Sequence, residues 1–375
     1  MPLPIATVFA DLPDPRADTA SKLHTLTDIL TIALCATIGG ANGWEQIAEY
    51  GRRKETFFRR LLTLENGIPS HDTFYRVFAL LEPAAFVQRF AKWMAAACES
   101  TGLVPIAIDG KSSRRAKRSS ATGCLPVVSA RATTDHLTLG QVVVPDGTNE
   151  IGVIPELLRT LDLAGAIVTI DAAGCQIENT RLIREGQGHY LLTVKGNQPT
   201  LHEAVQTVFE QADATGRQGI RFDHHTTTGK VHGRHEERSV AVIYEPTGLP
   251  SDWPDVAAVV SALRERVVKG TATTTVHFYL TSYAGTAKEI AEIIRGHWEI
   301  ENGLHWILDV AFREDESRTR GFDAGANLAL LRRVAVSLLK RVKAKGSIET
   351  RRLIAAWDDA FLLQVLQGAA NVTGA

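Results

Sequence analysis

Several features that assign a chain to a specialised class are missing from this sequence of 375 residues. Its four cysteines are scattered without a C-x-x-C pair, which argues against a disulfide framework or a zinc module and indicates a reducing compartment. No run of roughly 18 apolar residues occurs, and the apolar N-terminus follows no basic segment, so we expect neither a membrane span nor a secretory signal. We therefore expect a cytoplasmic protein.

The charges show no excess of one sign. With 41 Lys and Arg against 42 Asp and Glu, the formal net charge is -1, which argues against a uniformly basic nucleic-acid binder. It leaves open a protein whose cations are gathered on particular faces. The composition, 45% hydrophobic and 22% charged, is typical of a globular protein, and the length predicts two or three domains.

An aspartate at the end of an apolar run introduces a strongly basic stretch. Gly110 follows Asp109, and the cations that come next are Lys111, Arg114, Arg115, Lys117 and Arg118. One interpretation is an Asp-Gly turn that closes a strand, with solvated cations beside it. The other is a ligand of a divalent metal ion next to a phosphate-binding surface, which requires further carboxylates elsewhere in the chain.

Residues 1–100 predict an all-helical domain. Apolar residues recur at intervals of three and four, and the expected helices are Leu23–Ile38, Trp44–Leu62, Thr73–Leu81 and Pro83–Glu99. Asn66 and Gly67 favour a turn and Ser70 favours a helix N-cap, so the order is that of a helix-turn-helix that reads DNA. A small helical hairpin without a DNA-binding role gives the same pattern.

Residues 101–200 predict a mixed sheet covered by helices. The expected strands are Val104–Asp109, Leu125–Thr133, Leu137–Val144, Ala166–Asp171 and His189–Val194, and the expected helices are Asn149–Leu161 and Gln176–Glu185. Asp109 and Asp171 both end strands, and strand ends in an open α/β sheet are where ligands bind. Two neighbouring carboxylates stay ionised when a cation lies between them, and Mg²⁺ or Mn²⁺ takes such ligands.

Residues 201–285 are interpreted as an inserted, mostly β subdomain and not as a continuation of the sheet. Four histidines fall within it, namely His224, His225, His232 and His235. The last two could supply half of a zinc site, although solvated side chains on a strand explain them as well.

Residues 286–375 predict a helix that carries a glutamate, followed by further helices. His297, Glu301 and His305 are spaced four residues apart, so on a helix they lie near one face. A partly buried glutamate is costly unless it is paired or binds metal. A Glu–His or Glu–Arg pair and a metal ligand both fit this pattern.

Long motifs in a fixed order give a resemblance to a known family. The segments AIDGKS, VTIDAAGCQ and HWEIENGLHWILDV contain Asp109, Asp171 and Glu301, and the segments IPSHDTFYRVF, GTNEIGVIPELL, VKGNQP and FREDESRTR flank them. Together they resemble the H-repeat-associated (ISAs-type) insertion-sequence transposases of the DDE class, over most of the chain. The resemblance implies an α/β fold with an RNase H-like mixed sheet, flanking helices and a β-rich insertion, preceded by an all-helical N-terminal domain.

The same resemblance implies a chemistry. Asp109, Asp171 and Glu301 would be the catalytic residues and the ligands of Mg²⁺ or Mn²⁺, with two ions in the site. The protein would bind the terminal inverted repeats of an insertion sequence and the target DNA, and it would catalyse strand cleavage and strand transfer. Because two ends have to be paired, a homodimer is expected in the DNA complex.

The residues around the glutamate depart from the pattern of related families. Where those families carry a tyrosine, an arginine and a lysine, this chain has Ile294, His297 and Leu308. Other cations are therefore expected to share the contacts with phosphate groups, which are independent of base sequence and sensitive to salt. The DNA-binding residues that we expect are Lys111, Arg114, Arg115, Lys195, Asn197, Arg295, His297, Arg318 and Arg320.

Two other functions fit parts of the sequence. In a hydrolytic metalloenzyme, His297, Glu301 and His305 would bind a transition metal, which leaves Asp109 and Asp171 without a role. A DNA-binding derivative of a transposase that no longer cuts is the other possibility, and the presence of all three acids argues against it.

Overall fold

The chain divides into two compact units. The computed structural model describes residue 9 and residues 12–18, 22–96, 102–113, 115–116, 124–231, 234–268 and 271–367. Unit 1 comprises Met1–Ser100, Gly110–Val153 and Ile300–Ala375, and unit 2 comprises Thr101–Asp109 and Ile154–Glu299. No helix in these described ranges is long and apolar enough to cross a membrane.

Helices and strands are numbered in chain order. The strands are β1 (Val104–Ser113), β2 (Leu125–Ala132), β3 (Leu137–Val143), β4 (Ala166–Ile170), β5 (His189–Val194), β6 (Phe222–Val231), β7 (Arg234–Tyr244), β8 (Ala258–Val268) and β9 (Thr271–Thr281). The helices are α1 (Leu26–Ile38), α2 (Trp44–Arg53), α3 (Glu55–Phe58), α4 (His71–Leu80), α5 (Pro83–Ala96), α6 (Glu150–Thr160), α7 (Ile177–Glu185), α8 (Pro199–Ala214), α9 (Ala287–Ile300), α10 (Trp306–Val310), α11 (Phe322–Arg341), α12 (Ile348–Trp357) and α13 (Asp359–Gln367).

Helix boundaries in unit 1 follow local capping chemistry. Ser70 accepts a hydrogen bond from the N–H of Thr73, which confirms the predicted N-cap of α4. The single helix expected over residues 44–62 is wrong, because the backbone leaves the helical conformation at Lys54 (φ -107°, ψ 20°) and the short helix α3 follows. The last helix that the sequence predicts, about Glu349–Leu366, is also two helices. Asp358 ends α12, and its Oδ1 accepts from the N–H groups of residues 360 and 361, which starts α13.

Helix α11 forms the centre of unit 1. It packs against α1, α4 and α5 and against the β2–β3 pair, which is the antiparallel hairpin that the sequence predicts. The amide of Asn327 donates hydrogen bonds of 2.9 Å to the carbonyl oxygens of Phe78 and Leu81, at the end of α4. The N-terminal helices of residues 26–96 therefore share a core with the helix of residues 322–341.

Unit 2 is built on a mixed sheet, as the sequence predicts. Its strands have the order β1-β4-β5-β9-β8-β7-β6. Strands β1, β4 and β5 are parallel, and β5 pairs antiparallel with β9. The strands between residues 222 and 281 thus continue the sheet, whereas the sequence led us to expect a separate insertion. The pairing of Val194 with Phe278 joins distant segments, which a local pattern does not encode.

Helix α9 covers one face of this sheet. Ile290, Ile293 and Ile294 are buried together with Val242 and Tyr279, as the three-and-four spacing of the isoleucines predicts. Trp298, one turn after Ile294, is 41% exposed, so its ring is only partly covered.

Candidate active site

Asp109 and Asp171 follow paired residues on neighbouring strands. The parallel register of β1 and β4 runs from Val104–Ala166 to Ile108–Ile170, so each aspartate comes next on its strand. Neighbouring strands lie about 4.8 Å apart, and the two backbone positions are therefore adjacent where the pairing of β1 with β4 ends. The strand end expected at Asp109 is wrong, because β1 continues to Ser113, whereas Asp171 directly follows β4. Asp109 is half-buried and Asp171 is exposed. The structure brings these two predicted acids together.

The loop after β4 orients Asp171. Its Oδ1 accepts a hydrogen bond of 3.3 Å from the N–H of Gly174. Asn197 donates to the carbonyl oxygen of Ala172 at 2.6 Å, so the turn after β5 holds this loop in place. Asn197, which we expected to contact DNA, thus already has a partner within unit 2. Lys195, in the same turn, is exposed.

Gly110 leaves room for an acid that the sequence did not single out. A Cβ atom at Gly110 would lie 2.3 Å from the carboxyl carbon of Glu150, so that carboxyl group rests against the glycine. Glu150 stands at the start of α6, within the segment GTNEIG. The segment was recognised as a motif, but nothing in its spacing pointed to Gly110.

Lys111 is held by two carboxylates of unit 1. Its Nζ lies 2.7 Å from Oδ1 of Asp309 and 3.6 Å from Oδ1 of Asp315, and 8% of its side chain is exposed. This placement favours a structural role over the phosphate contact that we expected. Arg115 is exposed, and Arg114 lies outside the described residues.

Glu301 begins a segment of wider helix. After α9 ends, Glu301–His305 is a π-helix, and α10 starts at Trp306. Such segments occur frequently at functional sites, because the extra residue changes which side chains share a face. The regular four-residue spacing that the sequence suggested for this helix does not continue past Glu301. The side chain of Glu301 itself is exposed.

His297 is buried in unit 2 and bonded to strand β4. Its Nδ1 lies 2.9 Å from Oγ1 of Thr169, and the residue is 7% exposed. Burial lowers the pKa of His297 to about 4, although the nearby Asp171 acts in the opposite direction. The ring is therefore neutral near pH 7, and its placement favours a positioning role over direct contact with DNA.

A cavity of about 330 Å³ opens beside the end of α9. Arg295 and Trp298 line it from the helix, and Arg238, Arg264 and His277 line it from the sheet. The side chain of Arg295 is 66% exposed, with Glu299 at 3.9 Å. On the helix side, the cavity is therefore lined by a cation and an aromatic ring that are both accessible to solvent.

The other predicted cations lie in unit 1. Arg318 and Arg320 are exposed in the segment that precedes α11. Arg318 also borders an open cleft of about 560 Å³, together with Trp44, His71 and Arg313. Both arginines are therefore accessible to a ligand in solution.

Within the described residues, no group of three or more His, Cys, Asp or Glu side chains is arranged to hold a metal ion. Burial and nearby cations lower the pKa of His305 to about 3. His232 and the side chain of His235 lie outside the description.

Comparison with known proteins returns one family and several relatives. The family model described as "Transposase DDE domain" matches residues 100–338, and the model described as "DDE_Tnp_1-associated" matches residues 6–94. The "H repeat-associated putative transposase YhhI" of Escherichia coli (strain K12) is 36% identical over 367 residues, which is 96% of each chain. The "Uncharacterized protein in dhlA 3'region" of Xanthobacter autotrophicus is 41% identical over 278 residues, 73% of this chain and 93% of that protein.

A solved structure shows a weaker likeness. It is a cryo-EM structure of the piggyBac transposase synaptic complex with hairpin DNA, at a TM-score of 0.40 and 10% sequence identity. The alignment covers 96% of this chain and 76% of that one. A TM-score this low supports no conclusion about function.

Proposed function

Because this chain belongs to the transposase DDE domain family, we propose that it binds the ends of an insertion sequence and catalyses metal-dependent cleavage and transfer of DNA strands. The observation that carries the proposal is the register of β1 and β4, which sets Asp109 beside Asp171 at one edge of a mixed sheet. We further propose that this sheet is RNase H-like and that Glu301 is the third acid.

The donor atoms suit the divalent metal ions on which this family generally depends. Asp109, Asp171 and Glu301 offer carboxylate oxygens, the ligands that Mg²⁺ and Mn²⁺ take, and two of these acids are set side by side by strand pairing. These three residues would hold two ions. When bound, such ions stabilise negative charge on the oxygens of a phosphodiester and lower the pKa of water.

The reaction consists of two displacements at phosphorus. In the first, water attacks a phosphodiester at the end of the element, and the bond to the departing 3′ oxygen breaks. In the second, the freed 3′-hydroxyl attacks a phosphodiester of the target, the bond to the target's own 3′ oxygen breaks, and that oxygen leaves as a 3′-hydroxyl while the new strand junction forms. The carboxylates of Asp109 and Asp171 would hold the metal ions at fixed positions on the sheet, and ions bound there would orient the phosphate so that the attacking and leaving groups stay in line.

Exposed cations are proposed to hold the DNA backbone. Arg115, Lys195, Arg295, Arg318 and Arg320 are all exposed and would neutralise phosphates in a salt-sensitive manner. Lys111 and His297 are assigned to structural support, because both are buried and have protein partners.

Helix α4 is proposed to read the terminal repeats. Ser70 caps its start, and His71, Asp72, Tyr75 and Arg76 are exposed on its first turns, where a recognition helix presents its base contacts. The remainder of α4 packs on α11 in unit 1. A homodimer, bound to two ends and then to target DNA, would complete the reaction.

A cleavage assay with the flanking DNA tests this function. Duplexes that carry the inverted repeats bordering the gene are incubated with the full chain and Mg²⁺, and the strand ends are mapped. We expect a new 3′-hydroxyl at the repeat boundary with the wild-type protein and with the control Asp213→Asn, whose side chain is exposed on α8. Asp171→Asn is expected to bind the repeats without cutting them.

The other outcomes separate the alternatives. Binding without cleavage by the wild-type protein would indicate a derivative that no longer cuts. Cleavage retained by Asp171→Asn would show that the acids are assigned wrongly. Zinc retained after purification, with no activity on DNA, would favour a hydrolytic metalloenzyme.

A further inference from the structure

The ring of His297 ends a chain of hydrogen bonds that crosses three elements of unit 2. Thr169 donates its hydroxyl proton to the carbonyl oxygen of Ile106 on β1, at 3.4 Å. The same oxygen of Thr169 lies 2.9 Å from Nδ1 of His297 on α9. The chain of contacts therefore connects β1, β4 and α9 through two side chains.

The positions of these residues relate the contacts to the candidate site. Thr169 precedes Asp171 by two residues on β4, and Ile106 lies upstream of Asp109 on β1. On the helix, one turn separates His297 from Glu301. Each of these hydrogen-bonded residues thus lies only a few residues along the sequence from one of the three acids.

One arrangement of protons allows both contacts to be hydrogen bonds at once, and it assigns the tautomer of the histidine. A carbonyl oxygen only accepts, so in this arrangement the hydroxyl of Thr169 donates to Ile106 and accepts from His297. Nδ1 of the ring then carries the proton and Nε2 carries the lone pair.

We propose that His297 is a positioning residue of the transposase, which fixes α9 on β4 through the hydroxyl of Thr169 and so holds β1 and β4 where Asp109 and Asp171 would bind metal. The role of the acids rests on the proposed function. Partners that orient metal ligands without touching the metal typically change metal affinity or activity about 10- to 100-fold when they are lost. Burial keeps the ring neutral, which preserves the donor and acceptor pattern across the physiological pH range.

Two pairs of variants distinguish the effect of the hydrogen bond on metal binding from the effect of side-chain packing. Thr169→Val keeps the shape of the side chain and removes the hydroxyl, whereas Thr169→Ser keeps the hydroxyl. His297→Asn keeps an N–H donor at the place of Nδ1, whereas His297→Gln moves it outward. Mn²⁺ affinity of the full-length protein is measured by electron paramagnetic resonance, alongside thermal unfolding and cleavage of the repeat ends.

We expect Thr169→Val and His297→Gln to weaken Mn²⁺ binding about 10- to 100-fold, and their conservative counterparts to restore most of the affinity. Equal Mn²⁺ affinity in Thr169→Val and Thr169→Ser would overturn the proposal. The variant Asp109→Asn distinguishes a failure of the positioning role from a failure of the proposed function. If it abolishes Mn²⁺ binding while Thr169→Val and His297→Gln do not, only the positioning role fails. If it leaves Mn²⁺ binding unchanged, the proposed function itself fails.

A spectroscopic measurement on the unmodified protein covers the case in which a variant does not fold. The ¹⁵N chemical shifts of the His297 ring report which nitrogen carries the proton. We expect the Nδ1–H tautomer at pH 7. A ring that is protonated on Nε2 instead, or on both nitrogens, would contradict the hydrogen-bond chain and overturn the proposal.

Discussion

Lys111 and Asp309 form an ion pair whose lysine is buried. Nζ lies 2.7 Å from Oδ1 of Asp309, Asp315 adds a second carboxylate at 3.6 Å, and only 8% of the lysine side chain is exposed. The cation that follows Asp109 most closely in the sequence therefore stabilises unit 1 and does not face solvent. Asp309 itself lies on α10, two turns after Glu301 begins the π-helix.

Removing this lysine is expected to destabilise the protein. Lys111→Met leaves two carboxylates near each other without their cation, and the loss of one partner from a buried pair costs roughly 3 kcal/mol of unfolding free energy. The control is Arg52→Met, which breaks an exposed pair with Glu49 and should cost about 1 kcal/mol or less. Urea unfolding measures both. Equal losses in the two variants would show that the Lys111 pair is not desolvated.

The exposed cations are expected to affect the salt dependence of DNA binding. Replacing Arg295 by glutamine removes a charge beside the cavity at the end of α9, and one phosphate contact corresponds to about 0.9 in the slope of log K against log salt. Fluorescence anisotropy with a labelled duplex, at several salt concentrations, gives the slope. Arg217→Gln is the matched control, because Arg217 is half-exposed on the C-terminal side of α8 and paired with Asp213. A slope that changes equally in both variants would argue against a specific role for Arg295.

Two glycines are expected to respond differently to alanine. At Gly174 a Cβ would lie 2.2 Å from Cγ2 of the buried Ile170, so Gly174→Ala should cost about 1–3 kcal/mol of unfolding free energy through overpacking. At Gly110 the obstacle is the mobile end of Glu150, and Gly110→Ala should cost less than Gly174→Ala because that carboxyl group can move aside. Chemical denaturation of the two variants tests the order. A larger loss for Gly110→Ala would mean that Glu150 is held rigidly.

Stability is expected to depend on pH through His297. Burial lowers its pKa to about 4 in the folded protein, against about 6.5 in the unfolded chain. Between these values the unfolded state binds more protons, so the stabilisation is complete above pH 6.5 and is lost as the pH falls toward 4. The difference in unfolding free energy between wild type and His297→Asn should therefore shrink by up to about 3 kcal/mol between pH 7 and pH 4. A difference that stays constant with pH would contradict the lowered pKa.

The positions of strands and the faces of helices could be predicted from the sequence because they depend on local patterns. Asp109 and Asp171 stood out since each follows an apolar, β-branched run, and parallel pairing then set them side by side. The spacing of the isoleucines in α9 likewise predicts which face of the helix is buried. A few consecutive residues were enough to recognise each of these elements, whereas the pairing of β1 with β4 joins distant segments.

The features that the sequence did not predict depend on distant contacts. Strand β9 pairs with β5 and extends the sheet, although the residues between them look like an insertion. Whether a cation is solvated or buried is also decided elsewhere, as Lys111 shows, because its partners come from α10 and the loop after it. The π-helix Glu301–His305, which includes Gly303, changes the helical register that the regular four-residue spacing assumed.

Locating a metal ion in crystals gives the most direct test of the site. The full-length protein is crystallised with Mn²⁺, and anomalous scattering identifies the ion without reference to activity. We expect a peak about 2 Å from a carboxylate oxygen of both Asp109 and Asp171, and no peak there in Asp109→Asn. A saturating concentration of Mn²⁺ that leaves this edge of the sheet empty in the wild-type protein, or a peak that persists in Asp109→Asn, would contradict the assignment of these two aspartates as metal ligands.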